Sequence, residues 1–339
     1  MQSRFTVTKM ILEMRNPFRL SYGVSDTREA YWLRLADDAG WGEGAIPPYY
    51  RVNDADMIAA WERLAAQEQP FPDAVEDIPA WVGSEGPAVS RCAVDLALHD
   101  RIGKLRSEPV YRLLGLPEPP PLHTSFTVSG DPDAAAREAS EAAAFSIIKI
   151  KLGSGSDEEI LSAVRQARPD ARLFIDANAG WSLEQALALL PALERNGVEL
   201  VEQPLAKDDI EGMGKVQAAT ELPVVADESL QSAAQLEQLA RAGVRGINLK
   251  LMKLGGPAPA LRIVRRAREL GMGVMLGSMI ETSIGVTAMS HLAGLADWLD
   301  LDSPLLISND PFTGIAYSED GCIRVPSLPG IGATVRGVK

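Results

Sequence analysis

Five short apolar runs, each closing on a charged residue, recur along the middle of this chain at nearly constant spacing. Lys151 ends IIKIK, Asp176 ends RLFID, Glu202 ends VELVE, Asp227 ends LPVVAD and Lys250 ends GINLK. Consecutive members stand 25, 26, 25 and 23 residues apart. That interval holds one strand, one helix and two short loops, so the pattern predicts repeated βα units with parallel strands. Eight strand candidates follow Leu122, at 122–128, 147–151, 172–176, 198–202, 223–227, 246–250, 273–277 and 298–302, with helix-like stretches between them. Eight strands alternating with helices favour a closed barrel over an open sheet. In such a barrel the strand C-terminal ends, where these charges fall, carry the chemistry.

The flanks read differently. Residues 4–14 and 29–37 alternate as strands, NPFRLSYGVSDT (16–27) reads as a loop, and helical patterning runs over 55–67, 87–104 and 109–114. The proline-dense PEPPP at 117–121 marks a boundary. The expected organisation is an α+β domain, then the barrel, then an irregular tail that returns to the first domain. A formal net charge of -13 argues against nucleic acid or an anionic membrane as partner. Cys92 and Cys322 are far apart and suit a reducing compartment, and His99, His123 and His291 are too few and scattered for a histidine zinc site. MQSRFTVTKM holds no apolar stretch of signal-peptide or membrane length, so a cytoplasmic location is expected.

Residues two apart on a strand share a face. Lys149 therefore lies beside Lys151, Asn248 beside Lys250, and Asp300 beside Asp302. Facing inward, such pairs are costly unless partnered or used; a solvated strand end or a structural salt bridge is the plain alternative. Asp176, Glu202 and Asp227 would stand on three consecutive strands around one rim. Their repulsion is relieved by a hard divalent cation, and oxygen-only ligands favour Mg²⁺, with Mn²⁺ as the other fit. As helix N-caps the same residues would need no metal. Lys151 and Lys250 would flank that site from opposite sides, which suits proton removal from carbon next to a carboxylate. Lys149 would supply charge that lowers its neighbour's pKa, and Asn178, Glu228 and Asn248 would support the set. Two working lysines mean racemisation or epimerisation; one means cycloisomerisation or dehydration.

Taken together, Lys149-x-Lys151, Asp176, Glu202, Asp227 and Lys250 in NLKLMKLGG resemble the enolase superfamily, in its muconate lactonizing enzyme subgroup. A lysine base beside Mg²⁺ is a known pattern there. The resemblance covers nearly the whole chain. It implies a modified TIM barrel, (β/α)7β, over 122–310, an N-terminal α+β capping domain over 1–121, and a tail, 311–339, closing onto the cap. It also implies a homo-oligomer. The Asp300-x-Asp302 pair is similar to that of the dipeptide epimerases, where it holds the free ammonium of a dipeptide. Two inward carboxylates make a cation site on physical grounds as well. Ser278 and Glu281 in GSMIETSIG belong to the same pattern as substrate-side residues.

Epimerases acting on Ala-Glu dipeptides carry an arginine a few residues after a Pro-Phe in the first cap loop; here that place falls at Gly23. Tyr22, Pro47, Pro48, Tyr49 and Tyr50 would make the cap side aromatic, so a hydrophobic C-terminal side chain is expected, with Arg51 leaving room for an acidic one. An N-acylamino acid racemase or o-succinylbenzoate synthase remains the alternative, and a muconate-type cycloisomerase a further one. A barrel that only binds a cation and a Schiff-base aldolase are readings of other classes.

Overall fold

The computed structural model describes residues 4–21, 23–46 and 48–337. Three antiparallel strands open the chain: β1 (Phe5–Leu20), β2 (Gly23–Leu35) and β3 (Trp41–Ala45). The segment expected to be a loop is thus the far end of a long hairpin. Pro17 has no N–H to give a ladder, and the pairing jumps there from Glu13–Thr27 to Phe18–Ser25. The turn-forming composition marked this bulge rather than a loop. Tyr22 and Pro47 lie outside the described residues.

Helix Ala88–Arg106 packs on the face of β3 that carries Gly42 and Gly44, and on Gly40 just before it. A Cβ added at Gly42 would overlap the Ala93 carbonyl and come within 3.0 Å of Ala97 N. The helix buries Asp100, which accepts from Trp41 N (2.8 Å) and Ile331 N (2.9 Å) and pairs with Lys104 at 2.6 Å. One carboxylate therefore ties helix, sheet and tail. On the opposite face of the sheet, the Trp32 ring meets Phe312 edge-on, centroids 4.9 Å apart.

The tail bonds in turn to the start of the barrel. Strand β4 (Leu122–His123) forms a small sheet with β14 (Ala316–Tyr317) and β15 (Cys322–Arg324), and β13 (Phe312–Thr313) pairs with β16 (Thr334–Val335). The candidate strand 122–128 is consequently split, and its barrel part is β5 (Phe126–Val128). The break at Thr124–Ser125 has work to do: Ser125 N donates to Leu299 O (3.0 Å) and Thr124 Oγ1 accepts from Leu301 N (2.8 Å). These bonds bring the first barrel strand to the last.

The parallel sheet continues through β6 (Ile147–Lys151), β7 (Arg172–Asp176), β8 (Val198–Glu202), β9 (Val224–Ala226), β10 (Gly246–Leu249), β11 (Gly273–Gly277) and β12 (Trp298–Asp300). Helices between consecutive strands cover its outside. Asp227, Lys250 and Asp302, expected within strands, lie one or two residues past them. Inside the barrel, Ile147, Phe174, Leu200, Val225 and Met275 form a separate buried cluster capped by Trp298. Ile147, Phe174, Leu200 and Val225 are each followed two or four positions later by a charged residue on the same face. The lower barrel is therefore a dry plug and the upper mouth is charged. No helix among the described residues is long and apolar enough to cross a membrane.

Gly42→Ala should overpack the β3–helix contact and cost about 1–3 kcal/mol. Thermal unfolding of the variant beside the parent measures it.

Candidate active site

Strand register sets the first rung of the site. Lys151 lies opposite Asp176, and Asp176 opposite Glu202, so three strand ends present charge at one level. Lys149 sits one pleat below, wholly buried, with Nζ 2.6 Å from Glu202 Oε2, 2.6 Å from Asp300 Oδ2 and 3.2 Å from Asp176 Oδ2. Lys151 Nζ donates to Asp176 Oδ2 at 2.7 Å, and Lys250 Nζ to Asp227 Oδ2 at 2.8 Å. Lys253, one helical turn after Lys250, donates to Asp227 Oδ1, to Asp227 O (2.6 Å) and to Asn248 O (2.9 Å). Asn248 Nδ2 donates to Glu202 Oε1 at 2.7 Å, and Asn178 N to Asp176 Oδ1 at 2.9 Å. Asn178 takes a left-handed backbone (φ 44°), which turns the chain away at the rim.

Burial and charge pull the acids apart. Burial would raise Asp176, but the ammonium groups of Lys151 and Lys149 outweigh it and hold the carboxyl at about 2. Lys250 and Lys253 hold Asp227 below the usual carboxylate range in the same way. Burial wins at Glu202 and Asp302, each pushed up to about 7, and at Glu228, pushed up to about 8, with neighbouring carboxylates adding to it. Burial acts against the charge on Lys250, yet Asp227 and Glu202 more than offset it and its pKa is raised.

Six carboxylates (Asp176, Glu202, Asp227, Glu228, Asp300 and Asp302) thus meet four ammonium groups. The excess of two negative charges is met by two protons or by one divalent cation. Among the described residues no three acidic, histidine or cysteine groups already converge as ligands, because Asp176, Glu202 and Asp227 are each turned onto a lysine. Glu228 Oε2 and Asn178 Oδ1 are buried without a hydrogen-bond partner. Glu202 Oε2 accepts no hydrogen bond either, although Lys149 Nζ lies beside it off the favoured direction. Oxygen-only donors, unpartnered buried oxygens and a charge deficit of two fit a hard cation such as Mg²⁺.

Above this layer opens a cavity of about 700 Å³, counting its solvent-open mouth. Lys151, Lys250, Asn178, Asp227, Glu228, Ser278, Asp300, Asp302, Tyr49 and Tyr50 face it, whereas Lys149, Asp176, Glu202 and Asn248 lie beneath its floor. Asp300 Oδ1 accepts from Ser125 Oγ (2.8 Å) and Asp302 Oδ2 from Thr127 N (2.6 Å), fixing both carboxylates.

Three expected substrate-side residues are not on the wall. Gly23 ends the hairpin turn with open space around it, and Arg51 is an exposed residue in a left-handed turn (φ 51°). Glu281 is buried behind the wall, accepting from Met279 N at 2.7 Å. In their place come Phe18, Leu20, Ile46, Met279, Ile280 and Leu306, with Arg28 and Thr127. Most of these sit in segments that carry no strand-end charge to flag them. Arg28 lies within β2, on the long hairpin, and reaches the cavity from there. Lys253 was legible as a third lysine at helical spacing, but not its grip on Asp227.

The family described as Enolase C-terminal domain-like matches residues 133–338. The L-Ala-D/L-Glu epimerase of Bacteroides thetaiotaomicron is 38% identical over 298 residues, covering 86% of this chain and 77% of that protein. The L-Ala-D/L-amino acid epimerase of a Maribacter species is 34% identical, covering 98% of this chain and 99% of its own. Among solved structures, the dipeptide epimerase of Cytophaga hutchinsonii complexed with Mg and D-Ala-L-Val superposes with a TM-score of 0.90 at 28% identity, covering 98% of this chain and 95% of that one.

Removing Lys149 leaves three buried carboxylates without their shared cation. Lys149→Met should lower unfolding free energy by about 3–5 kcal/mol, as read from denaturant melts.

Proposed function

This chain belongs to the enolase superfamily, and we propose that it is a Mg²⁺-dependent dipeptide epimerase inverting the α-carbon of the C-terminal residue of an L,L-dipeptide. The observation that carries this reading is the cross formed by four groups around the mouth. Lys151 on β6 and Lys250 after β10 are four strands apart in a sheet of eight, hence opposite each other. Asp176, Glu202 and Asp227 occupy the arc between them on β7 to β9, and Asp300 with Asp302 the facing arc on β12. A dipeptide with its carboxylate toward the first arc and its ammonium toward the second spans the mouth. Its C-terminal α-carbon, next to the carboxylate, then lies on the line between the lysines.

Asp176, Glu202 and Asp227 would hold the cation, which when bound would supply positive charge to offset the negative charge that develops on the substrate carboxylate. Lys151 takes that proton on one face and Lys250 returns one on the other, or the reverse. Lys151 and Lys250 each pair here with a carboxylate of the set that would hold the cation, Asp176 and Asp227 respectively. Lys149 stays beneath as a fixed positive charge, while Asn178, Asn248, Lys253 and Glu228 hold the ligating groups in place. A substrate without a free amine gives the Asp300–Asp302 pair no ammonium to hold, which separates this reading from an N-acylamino acid racemase.

The side-chain end of the cavity is walled by Leu20, Ile46, Tyr49, Met279 and Ile280, which favours an apolar C-terminal residue. Arg28 on the same wall gives specific support to a second reading, a C-terminal residue with a carboxylate side chain.

Incubating L,L-dipeptides in D₂O with Mg²⁺ should place deuterium on the C-terminal α-carbon, read by mass spectrometry. Lys151→Ala and Lys250→Ala should each cut epimerisation by about 10²–10⁴-fold. Asp300→Asn should cripple dipeptide turnover; labelling of N-succinylamino acids but of no dipeptide would sink the dipeptide reading. Chelation should abolish activity, and Mg²⁺ at a hundred times its Kd should raise unfolding free energy by about 2.7 kcal/mol in thermal melts.

A further inference from the structure

Glu43 on the cap strand β3 and Glu281 in the loop after β11 are buried to 0% and 1% exposure, and the chemistry above uses neither. Glu43 reaches across to the barrel and accepts from Thr282 N at 2.8 Å, Thr282 Oγ1 at 2.7 Å and Gly285 N at 2.9 Å. It thus satisfies the first turn of helix Ser283–Ser290 from the other domain. Glu281 folds back on its own loop, accepting from Met279 N, while its own N–H donates to Ser303 Oγ at 2.6 Å. The two carboxyl groups both border the space over Gly285. A Cβ there would overlap Glu281 Oε2 and lie 3.1 Å from Glu43 Oε2, so only glycine leaves them room.

Two carboxylates brought to one dry point do not both stay ionised. Asp310 faces Glu43, Lys250 faces Glu281, and the Cys92 thiol, with Asp95 nearby, lies beside both. Burial, with Asp310 adding to it, pushes Glu43 up to about 7; burial and Glu43 push Glu281 up to about 8. The residues just before Glu281, Ser278 to Ile280, are cavity wall.

We propose that Glu43 and Glu281 share one proton across the domain boundary and so fix the Ser278–Ile280 wall, making Glu43 a positioning residue that itself stands off the cavity. The joint follows from the contacts alone; only its kinetic consequence rests on the epimerase reading. Glu281→Gln puts an amide N–H where the shared proton lies, at the Oε2 position beside Glu43 Oε2, and keeps an oxygen for Met279 N. Glu43→Ala strands the Thr282 and Gly285 amides in a dry interface.

The test compares the two variants with the parent by hydrogen–deuterium exchange over 278–285, by dipeptide kinetics, and by melting temperature across pH. Glu43→Ala should speed exchange in that segment and lower kcat/KM about 10- to 100-fold, mostly through KM, since misplacement far from the reacting atoms costs rate on that scale. Glu281→Gln should leave both near the parent's values. In the unfolded chain both acids ionise near 4.5, whereas the folded pair keeps a proton to about 7–8. Stability is therefore lost as pH rises through that window, and Glu281→Gln should lose less of it than the parent. Unchanged exchange and KM in Glu43→Ala, or a Glu281→Gln variant as damaged as Glu43→Ala with the parent's pH slope, overturns the proposal. If the parent epimerises no dipeptide, the functional reading fails by itself, and the exchange and pH measurements still decide the joint. If Glu43→Ala does not fold, those two measurements on Glu281→Gln decide it.

Discussion

The structure depends on a charge balance struck inside one barrel mouth. Lys149, with no exposure at all, is surrounded by Asp176, Glu202 and Asp300, and none of these four groups would be stable there alone. Replacing such a buried set with hydrophobic residues of similar volume is often neutral or stabilising, so stability alone does not account for it. Lys151 and Lys250 each pair with one carboxylate of the set, Asp176 and Asp227.

The dry plug makes that balance possible. Ile147, Phe174, Leu200, Val225 and Met275 keep water from entering below, so the charges above interact in a low-dielectric space open on one side only. The cap closes part of that side. Its hairpin brings Phe18 and Leu20 to the cavity, where Lys151 Nζ lies 5.7 Å from the Phe18 ring. Glycines in β3 let helix Ala88–Arg106 press on the sheet, while Glu43 beside them reaches the barrel. One short strand thus packs the cap with one face and docks it with the other.

How much of this was legible follows from period and range. The charged rung was visible because a βα unit has nearly constant length and a strand's faces alternate, so Lys151, Asp176, Glu202, Asp227 and Lys250 declare their level through spacing alone. The hairpin was misjudged because Pro17 and its polar neighbours look the same in a bulged strand as in a loop. Strand 122–128 was misjudged because its first two residues pair with Cys322–Arg324, two hundred residues away. The cavity wall was poorly legible for the same reason: Arg28, Ile46 and Leu306 come from three separate segments with no shared period.

By itself, then, the sequence determined the barrel, the order of its strands and the chemical type of each strand end, since all of these rest on local periodicity. Tertiary structure decided which residues wall the cavity, which lysine grips which carboxylate, and that Glu43 meets Glu281. Those outcomes depend on contacts between distant segments, where a turn of the backbone by one residue moves a side chain to the opposite face.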